Sequence, residues 1–429
     1  MSEQLLLVDG IGGPSRALTE ANRPAQHRFP AFAGPSGLVV TTDRDREHTV
    51  VAGLDLKSRR WRELISRPGL DVSGHLAPAS SRLLLRVNRG GRAELELHAL
   101  DGARQPLPVA LPGAGWTGEP TLPAPVWAPS SRWVAVSFSS PTVPGDALRV
   151  DARTGAVTTV ASSRGAFGAV SLTEPTLQLV PSPAGRPIPC WVYAPASPPS
   201  RLAGSAVIVV HGGPESQSVA TFNPVIQGLA AAGHTVLVPN VRGSTGYGRS
   251  WYSADDGRRR LNAVADLEAI HAWLPQVGVD PSRAALWGAS YGGYMVLAGL
   301  AFQPQLWAAG VDIVGMSSLV SFLRNTSGYR RAAREREYGS LEADLDLLER
   351  ASPLSRVDRV RAPLFMIHGA NDPRVPLSEA EQLAQRLSER HVECHLLVYP
   401  DEGHGLARRR NRLDAYPRAL EFLARHLGA

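Results

Sequence analysis

Short apolar runs separated by glycine, proline, serine and aspartate fill roughly the first 170 residues, with no convincing long helical pattern among them. Two stretches resemble each other, residues 75–87 and 126–138, and each is followed by a second apolar run and a turn. A repeat of about 40–50 residues made of short strands is typical of β-propeller blades, whereas a β-sandwich has the strands without the repeat. We therefore predict a propeller-like all-β domain of about three to four blades over residues 1–172.

The pattern changes from residue 173 onward, where near-continuous apolar runs alternate with helical patterns. The runs that predict strands are AVIVV at 206–210, TVLVP at 235–239, AALWG at 284–288, GVDIV at 310–314, APLFMIHG at 362–369 and VECHLLVYP at 392–400. Such runs between helices indicate a mostly parallel, doubly wound sheet covered on both faces. Ser378 and Glu381 predict a capping box at the start of one helix. Residues 173–429 are therefore predicted to form an α/β domain.

The length of the chain agrees with two domains, and the distribution of its charge argues against a nucleic-acid partner. The 429 residues exceed what one ordinary hydrophobic core organises. The net charge is +6, yet Lys57 is the only lysine and arginines are spread over the whole chain. The densest basic runs, 258–260 and 408–410, lack the interleaved aromatic residues of a nucleic-acid surface. We expect no nucleic-acid partner.

The remaining composition predicts a cytoplasmic protein without a membrane contact or a cofactor. No apolar run reaches about 18 residues, and the N-terminus lacks the apolar core of a secretory signal. Cys190 and Cys394 lie far apart and do not suggest a disulfide framework. No H-E-x-x-H, paired C-x-x-C or carboxylate–histidine cluster predicts a metal site. Homo-oligomerisation is left open.

The most informative motif is GASYGG at 288–293, which follows one predicted strand and precedes a predicted helix. That context is the G-x-S-x-G nucleophile elbow, in which a strained strand-to-helix turn exposes the serine oxygen. Gly288 and Gly292 remove side chains that would collide across such a turn. We therefore predict that Ser290 is a catalytic nucleophile.

A serine nucleophile needs a base and a carboxylate that orients the base. Among the twelve histidines, His404 lies in a Gly-flanked loop after the last predicted strand, where α/β sheets place their active sites. Asp372 lies in the loop after the preceding predicted strand and completes the order Ser, Asp, His. Asp312, inside a predicted strand, and Asp401, predicted to cap the loop of His404, rank behind it.

The intermediate of acyl transfer needs backbone N–H donors for its oxyanion. The amide of Tyr291, directly after the nucleophile, is one predicted donor. The segment HGGP at 211–214, after the first strand of the predicted parallel sheet, supplies the other, with Gly213 as first choice and Gly212 as second.

Taken together, the motifs resemble the prolyl oligopeptidase family of serine peptidases, in particular its acylaminoacyl-peptidase-like branch. The matching segments are HGGP at 211–214, NVRGSTGYG at 240–248, GASYGG at 288–293, HGAND and RVP within 368–376, and GHG at 403–405. The resemblance implies an α/β-hydrolase domain, a β-propeller that screens access, and cleavage of short peptides. It also implies that Arg374 binds a substrate carbonyl; an ordinary surface ion pair is the alternative for that residue.

The departure from the family is the short N-terminal region, which predicts a reduced β-domain and a more accessible site. The paired-glutamate motif by which dipeptidyl peptidases of the family anchor a free N-terminus is not recognisable, so dipeptidyl specificity is not expected. The resemblance favours a peptidase acting on short or N-acylated peptides. An esterase or thioesterase acting on a small acyl substrate would use the same triad, and a non-catalytic protein would not keep it intact.

Overall fold

The computed structural model describes residues 3–79, 81–100, 105–168, 170–182, 184–196 and 201–428. They form two compact units. The first comprises Met1–Val170 together with Val219–Phe222 and Thr245–Tyr252, and the second comprises Ser171–Ser218, Asn223–Ser244 and Ser253–Ala429. Two short segments from later in the chain therefore belong to the first unit. The predicted boundary between residues 172 and 173 stays a prediction.

The first unit consists of antiparallel sheets. Its strands are β1 (Leu6–Val8), β2 (Ser15–Ala17), β3 (His27–Phe32), β4 (Gly37–Thr42), β5 (Val50–Asp55), β6 (Trp61–Ile65), β7 (Val72–Leu76), β8 (Arg82–Arg89), β9 (Arg92–Ala99), β10 (Leu107–Val109), β11 (Trp116–Thr117), β12 (Val126–Trp127), β13 (Trp133–Ser140), β14 (Val143–Asp151) and β15 (Val157–Ala161). Strands β3–β6 and β7–β10 each form a four-stranded meander, β11–β15 form a five-stranded sheet, and β1 pairs with β2.

The two similar sequence stretches occupy equivalent places in consecutive sheets. The first spans the end of β7, a turn and β8; the second spans β12, a turn and β13. In each, an Ala-Pro turn is closed by the same backbone hydrogen bond, from Ala77 N to Arg82 O and from Ala128 N to Trp133 O, both 2.9 Å. The turn residue 80 lies outside the described residues. The predicted repeat is therefore a structural repeat.

Alternating side chains let each meander pack on both faces. In β8, Leu83 and Leu85 are buried against the preceding sheet, with Val39 and Val51. Leu84 points the other way and packs with the following sheet. Because successive side chains of a strand face opposite sides, a sheet between two others is apolar on both faces. This explains why these strands are continuous apolar runs.

The second unit is built on an eight-stranded sheet. Its strands are β16 (Thr176–Val180), β17 (Ile188–Tyr193), β18 (Ala206–Val210), β19 (Thr235–Pro239), β20 (Ala284–Ala289), β21 (Ala309–Ile313), β22 (Leu364–Gly369) and β23 (Cys394–Tyr399). Their order is β16-β17-β19-β18-β20-β21-β22-β23. The first two pairings are antiparallel and the rest are parallel. The predicted doubly wound α/β domain is confirmed.

The helices are mostly part of the second unit. They are α1 (Pro224–Ala232), α2 (Arg249–Tyr252), α3 (Leu261–Trp273), α4 (Tyr291–Phe302), α5 (Leu319–Asn325), α6 (Gly328–Tyr338), α7 (Leu345–Ala351), α8 (Ser378–Ser388) and α9 (Arg409–Leu427). Only α2 belongs to the first unit. Among the described residues no helix is long and apolar enough to cross a membrane.

The predicted capping box at the start of α8 is wrong. Leu377 is the N-cap residue and already has helical φ and ψ, so Ser378 lies inside the helix and makes no capping hydrogen bond. The neighbouring Glu379 is fully buried instead, and its carboxylate accepts hydrogen bonds from the amides of Ser317 and Ser318 at 3.1 and 2.8 Å. The acidic residue in this turn therefore ties α8 to the segment after β21.

Candidate active site

Ser290 lies on a strained turn between the central strand β20 and α4. Its φ is 58°, a left-handed conformation that a residue other than glycine rarely adopts. The Ser290 amide donates a 2.8 Å hydrogen bond to the carbonyl of Ile313 on the neighbouring strand, which fixes the turn. The helix begins at the next residue, Tyr291. This is the geometry of a nucleophile elbow, as predicted.

The two glycines of the elbow are required by close backbone contacts. A Cβ atom added at Gly288 would lie 2.1 Å from the carbonyl oxygen of Gly292. A Cβ atom at Gly292 would lie 2.1 Å from the carbonyl oxygen of Val210, at the end of β18. Both contacts are with backbone, which cannot rotate away as a side chain can. The steric reason given for these glycines is confirmed.

We expect Gly292→Ala to lower the free energy of unfolding by roughly 2–3 kcal/mol, because the new methyl group must displace backbone at the end of β18. The check is the midpoint of thermal unfolding. Gly228→Ala in α1 is the matched control, since its added Cβ would meet only the Leu420 side chain, at 3.8 Å. That control should keep or raise the midpoint. Equal midpoints for the two variants would contradict the steric account.

His404 joins the serine to Asp372. Its Nε2 lies 2.9 Å from Ser290 Oγ, and its Nδ1 lies 2.7 Å from Asp372 Oδ2. With the carboxyl ionised, Nδ1 carries the proton and donates to Asp372, so Nε2 accepts from the serine hydroxyl. Ser290, Asp372 and His404 follow β20, β22 and β23, whose carboxyl ends lie at the same edge of the sheet. The structure therefore brings the three predicted residues into a hydrogen-bonded chain.

The Asp372 side chain is fully buried but stays an effective anion. Burial by itself raises its pKa, and the hydrogen bonds from His404 and from the amides of Val375 and Arg374 outweigh this, so that the pKa is lowered below its ordinary value. The two amides donate to Asp372 Oδ1 at 3.0 and 2.8 Å. These contacts leave Oδ2 to face the imidazole. A carboxylate placed in this way can hold His404 in one tautomer and stabilise its protonated form.

The two other candidates for the acid, Asp312 and Asp401, make contacts away from His404. Asp312 is buried in β21 and packs against two glycines: a Cβ atom added at Gly293 or at Gly315 would lie 2.2 Å from Asp312 Oδ1. Asp401 forms ion pairs with Arg408 and Arg410. Neither is placed to orient His404 as Asp372 is, which supports the ranking made from the sequence.

Two neighbours that the sequence reasoning missed hold the triad loops. Glu402, which is 3% exposed, accepts hydrogen bonds from the amides of Ala407 and Arg408 at 2.9 and 2.8 Å. Glu402, rather than the predicted Asp401, therefore caps the loop that carries the histidine. His368 is buried beside the acid loop, where its Nε2 lies 3.0 Å from the carbonyl of Val375. Because a carbonyl oxygen can only accept, the Nε2–H group of His368 is the donor of this bond. Burial lowers the pKa of His368 below its ordinary value.

Backbone amides of two segments are available for an oxyanion. Tyr291 is the first residue of α4, where an amide has no acceptor within its own helix. The HGGP segment passes directly against the elbow, since a Cβ at Gly212 would lie 3.0 Å from the carbonyl of Ala289 and 3.5 Å from Ser290 Cβ. Gly213 has a φ of 140°, a conformation that favours glycine. Both predicted donor segments are therefore beside the nucleophile.

Arg374 presents an exposed side chain two residues after the acid. Its backbone is fixed, because its amide donates to Asp372 and its carbonyl accepts from Thr326 Oγ1 at 2.9 Å. Within the described part of the chain, its guanidinium forms no ion pair or hydrogen bond. The alternative of a surface ion pair therefore finds no support, and the guanidinium is available to a ligand.

Comparison of the sequence with known proteins identifies a family and several relatives. Residues 220–429 match the sequence model of the prolyl oligopeptidase family. The chain is 36% identical over 229 residues to dipeptidyl peptidase family member 6 of Caenorhabditis elegans, which covers 52% of this chain and 31% of that protein. It is 30% identical over 407 residues to dipeptidyl aminopeptidase BIII of Pseudoxanthomonas mexicana, covering 91% and 58% respectively. It is 28% identical over 254 residues to the human acylamino-acid-releasing enzyme, and the match covers 57% of this chain and 35% of that protein. The chain thus spans less than two thirds of these relatives.

Solved structures share the fold over almost the whole chain. A puromycin-hydrolyzing peptidase of Mycobacterium tuberculosis matches with a TM-score of 0.85 and 23% identity, covering 98% of this chain and 64% of that one. The acylaminoacyl peptidase of Pyrococcus horikoshii matches with a TM-score of 0.79 and 20% identity, covering 99% and 66%. The fold is therefore an α/β hydrolase preceded by a propeller-like all-β unit, as predicted.

Proposed function

Since the chain belongs to the prolyl oligopeptidase family of serine peptidases, we propose that it cleaves short or N-acylated peptides through an acyl-enzyme on Ser290. The observation that carries the proposal is the continuous hydrogen-bonded chain from Ser290 Oγ through His404 to the buried Asp372, at 2.9 and 2.7 Å. The names of the relatives, among them acylamino-acid-releasing enzymes and dipeptidyl peptidases, support peptides as the substrate class.

The proposed reaction uses the side chains of the triad, the backbone amides beside it and one water molecule. Ser290 Oγ attacks the scissile carbonyl while its proton passes to Nε2 of His404. The oxyanion of the tetrahedral intermediate is stabilised by the amides of Tyr291 and Gly213, with Gly212 as the alternative donor. The protonated His404 then gives its proton to the leaving amine, and the acyl-enzyme remains. A water molecule then attacks the acyl carbonyl while its proton passes to His404. The ester bond to Ser290 Oγ breaks, His404 returns the proton to Oγ, and the acid product leaves.

Asp372 keeps this proton transfer in the right direction. Because its lowered pKa keeps the carboxylate ionised, it stabilises the imidazolium that forms when Ser290 loses its proton. Its two backbone amide donors hold it in place throughout the cycle.

The substrate class is tested with a panel of three matched reporter substrates: N-acylated short peptides, aminoacyl anilides with a free amine, and short-chain esters. We expect the acylated peptides to have the highest kcat/KM. Turnover of esters alone would overturn the peptidase proposal and favour a small-molecule acyl hydrolase with the same triad. Preference for the free aminoacyl substrates would point to an aminopeptidase. The Ser290→Ala variant, which lacks the nucleophile, is the background for every substrate.

Arg374→Ala is expected to raise KM for peptide substrates about tenfold, because a charge-assisted hydrogen bond to a substrate carbonyl is lost. Short esters, which lack a second carbonyl, should be unaffected. Arg336→Ala is the control, since it removes another exposed arginine from α6 in the same unit. The measurement is steady-state kinetics on both substrates. An unchanged peptide KM would show that Arg374 does not bind substrate.

A further inference from the structure

A cluster of charged and phenolic side chains lies beside the nucleophile, and none of the proton-transfer steps uses it. Its members are each at most 6% exposed: Asp255, Arg260, Tyr291, Glu337 and Tyr338. They come from the segment before α3, from the start of α4 and from the end of α6. Tyr291 is the residue that directly follows Ser290, so the cluster is one residue away from the nucleophile.

The contacts within the cluster converge on one carboxylate oxygen. Tyr291 Oη donates a 2.8 Å hydrogen bond to Asp255 Oδ2. Arg260 Nη1 donates to the same oxygen. Arg260 Nη2 donates to the carbonyl of Glu337 at 3.0 Å, and its guanidinium carbon lies 5.3 Å from the ring centre of Tyr291. The Tyr291 ring is therefore held by a hydrogen bond at its tip and by a cation near its ring.

Burying this cluster of charged side chains costs free energy of desolvation. Burial by itself lowers the pKa of Arg260, but Asp255, Tyr291 and Glu337 outweigh it, so the pKa is raised and the guanidinium stays charged. Taking charges out of water costs so much that apolar side chains of similar volume often stabilise a fold equally well or better. The pair of Asp255 and Arg260 is thus better explained by what it positions than by stability.

The segment at 240–248, which hydrogen-bonds to His211 at the start of the HGGP segment, lies against the same carboxylate. A Cβ at Gly243 would meet Asp255 Oδ1 at 2.5 Å, so the backbone there is packed onto the carboxylate. The next residue, Ser244, has its Oγ 2.8 Å from His211 Nε2, and His211 Nδ1 lies 2.8 Å from the carbonyl of Gly212. Asp255 therefore contacts Tyr291 directly, and it is linked to the HGGP segment through Gly243, Ser244 and His211.

We propose that Asp255, supported by Arg260, is a positioning residue of the oxyanion hole: it fixes the Tyr291 side chain and thereby the Tyr291 amide next to Ser290. The inference rests on the proposed acyl-transfer function. Preorganised donors stabilise charge that develops in the transition state and do not have to move during the reaction. Loss of the anchor should therefore lower kcat and leave substrate binding nearly unchanged.

The primary test is Tyr291→Phe, which removes the anchoring hydroxyl and keeps the backbone amide. We expect kcat to fall about tenfold, with KM within about twofold, since a misplaced donor costs less than the loss of one. Tyr294→Phe is the matched control. Tyr294 is equally buried one turn later in α4, stacks on Tyr291 and donates to the carbonyl of Ala351 at 2.9 Å. Tyr294→Phe should lose about as much thermal stability as Tyr291→Phe and keep the kcat of the wild type.

A pair of double variants isolates the acceptor from the charge. Asp255→Asn/Arg260→Met keeps an oxygen that accepts from Tyr291, whereas Asp255→Leu/Arg260→Met removes it. We expect kcat within about threefold of the wild type for the first and about a tenfold loss for the second. If either double variant fails to fold, Tyr291→Phe against Tyr294→Phe decides alone.

The outcomes separate the inference from the proposed function. Wild type that neither turns over substrate nor reacts with a fluorophosphonate would overturn the proposed function and this inference with it. An active wild type with an unchanged kcat in Tyr291→Phe would overturn the inference alone, and so would equal losses of kcat in the two phenylalanine variants. A kcat loss confined to Tyr291→Phe, with unchanged KM and a slower fluorophosphonate reaction, would support it.

Discussion

His404→Ala is expected to lower kcat about a millionfold, to the residual rate that substrate binding and the oxyanion donors alone support. The reason is that Ser290 Oγ has its only placed proton acceptor in His404 Nε2, at 2.9 Å, among the described residues. Without the imidazole, neither attack by the hydroxyl nor protonation of the leaving amine is assisted. The measurement is single-turnover kinetics with an acyl-peptide reporter at high enzyme concentration, where such a slow rate is still visible.

The matched control for this variant is His395→Ala. His395 lies on β23, shortly before His404 in the chain, and its side chain is 45% exposed and pairs with Glu393. Its removal should change kcat by less than about twofold, as is usual for a surface substitution. Substantial turnover by His404→Ala, or an equal loss in His395→Ala, would mean that another group is the base.

Asp372→Asn is expected to lower kcat about 10⁴-fold while the protein stays folded. An asparagine amide that donates to His404 Nδ1 would leave the ring proton on Nε2, so the imidazole could no longer accept from Ser290. The variant also gives up the negative charge that stabilises the imidazolium. Kinetics together with a near-ultraviolet circular dichroism spectrum separate this chemical effect from a loss of structure.

Asp401→Asn is the control for the acid. Asp401 is three residues from His404 but pairs with Arg408 and Arg410 outside the triad. Its kcat should stay within about twofold of the wild type. If Asp401→Asn lost as much activity as Asp372→Asn, the orienting role would have been assigned to the wrong carboxylate.

The lowered pKa of Asp372 also sets a direction for the dependence of stability on pH. Because the folded-state pKa is below its unfolded value, the ionised carboxylate stabilises the fold fully above the ordinary pKa of 3.8. That contribution is lost as the pH falls through the lower, folded-state value. Asp372→Asn should therefore flatten the acid limb of the stability curve below about pH 4 and leave the curve near neutrality unchanged in shape.

The proximity of the three proposed catalytic residues could be predicted because each of them follows the end of a strand. Ser290 is defined by glycines that only a tight elbow requires, and Asp372 and His404 follow apolar runs that are unmistakable strands. In a parallel sheet, consecutive strand ends meet at one edge, so the order along the chain already implies the proximity of the side chains. For the same reason, the apolar runs defined the sheet of the second unit well.

The supporting side chains could not be predicted, because their partners are far away in sequence or ambiguous within a motif. Asp255, in the segment before α3, meets Tyr291 of α4 only through tertiary packing, and no local pattern marks either residue as a partner. In the loop of His404, adjacent acidic residues look alike, and burial alone selects Glu402 over Asp401 as the cap. The wrong capping box at Ser378 has a similar origin, since tertiary contacts of Glu379 set where α8 begins.

The most direct test of the central claim is covalent labelling of Ser290 with a fluorophosphonate, followed by mass spectrometry of the intact protein and of its peptides. We predict a single adduct on the wild type, located on Ser290, and none on Ser290→Ala. His404→Ala should label far more slowly, because the hydroxyl is no longer activated. No adduct on the folded wild type, or an adduct that persists in Ser290→Ala, would contradict the account.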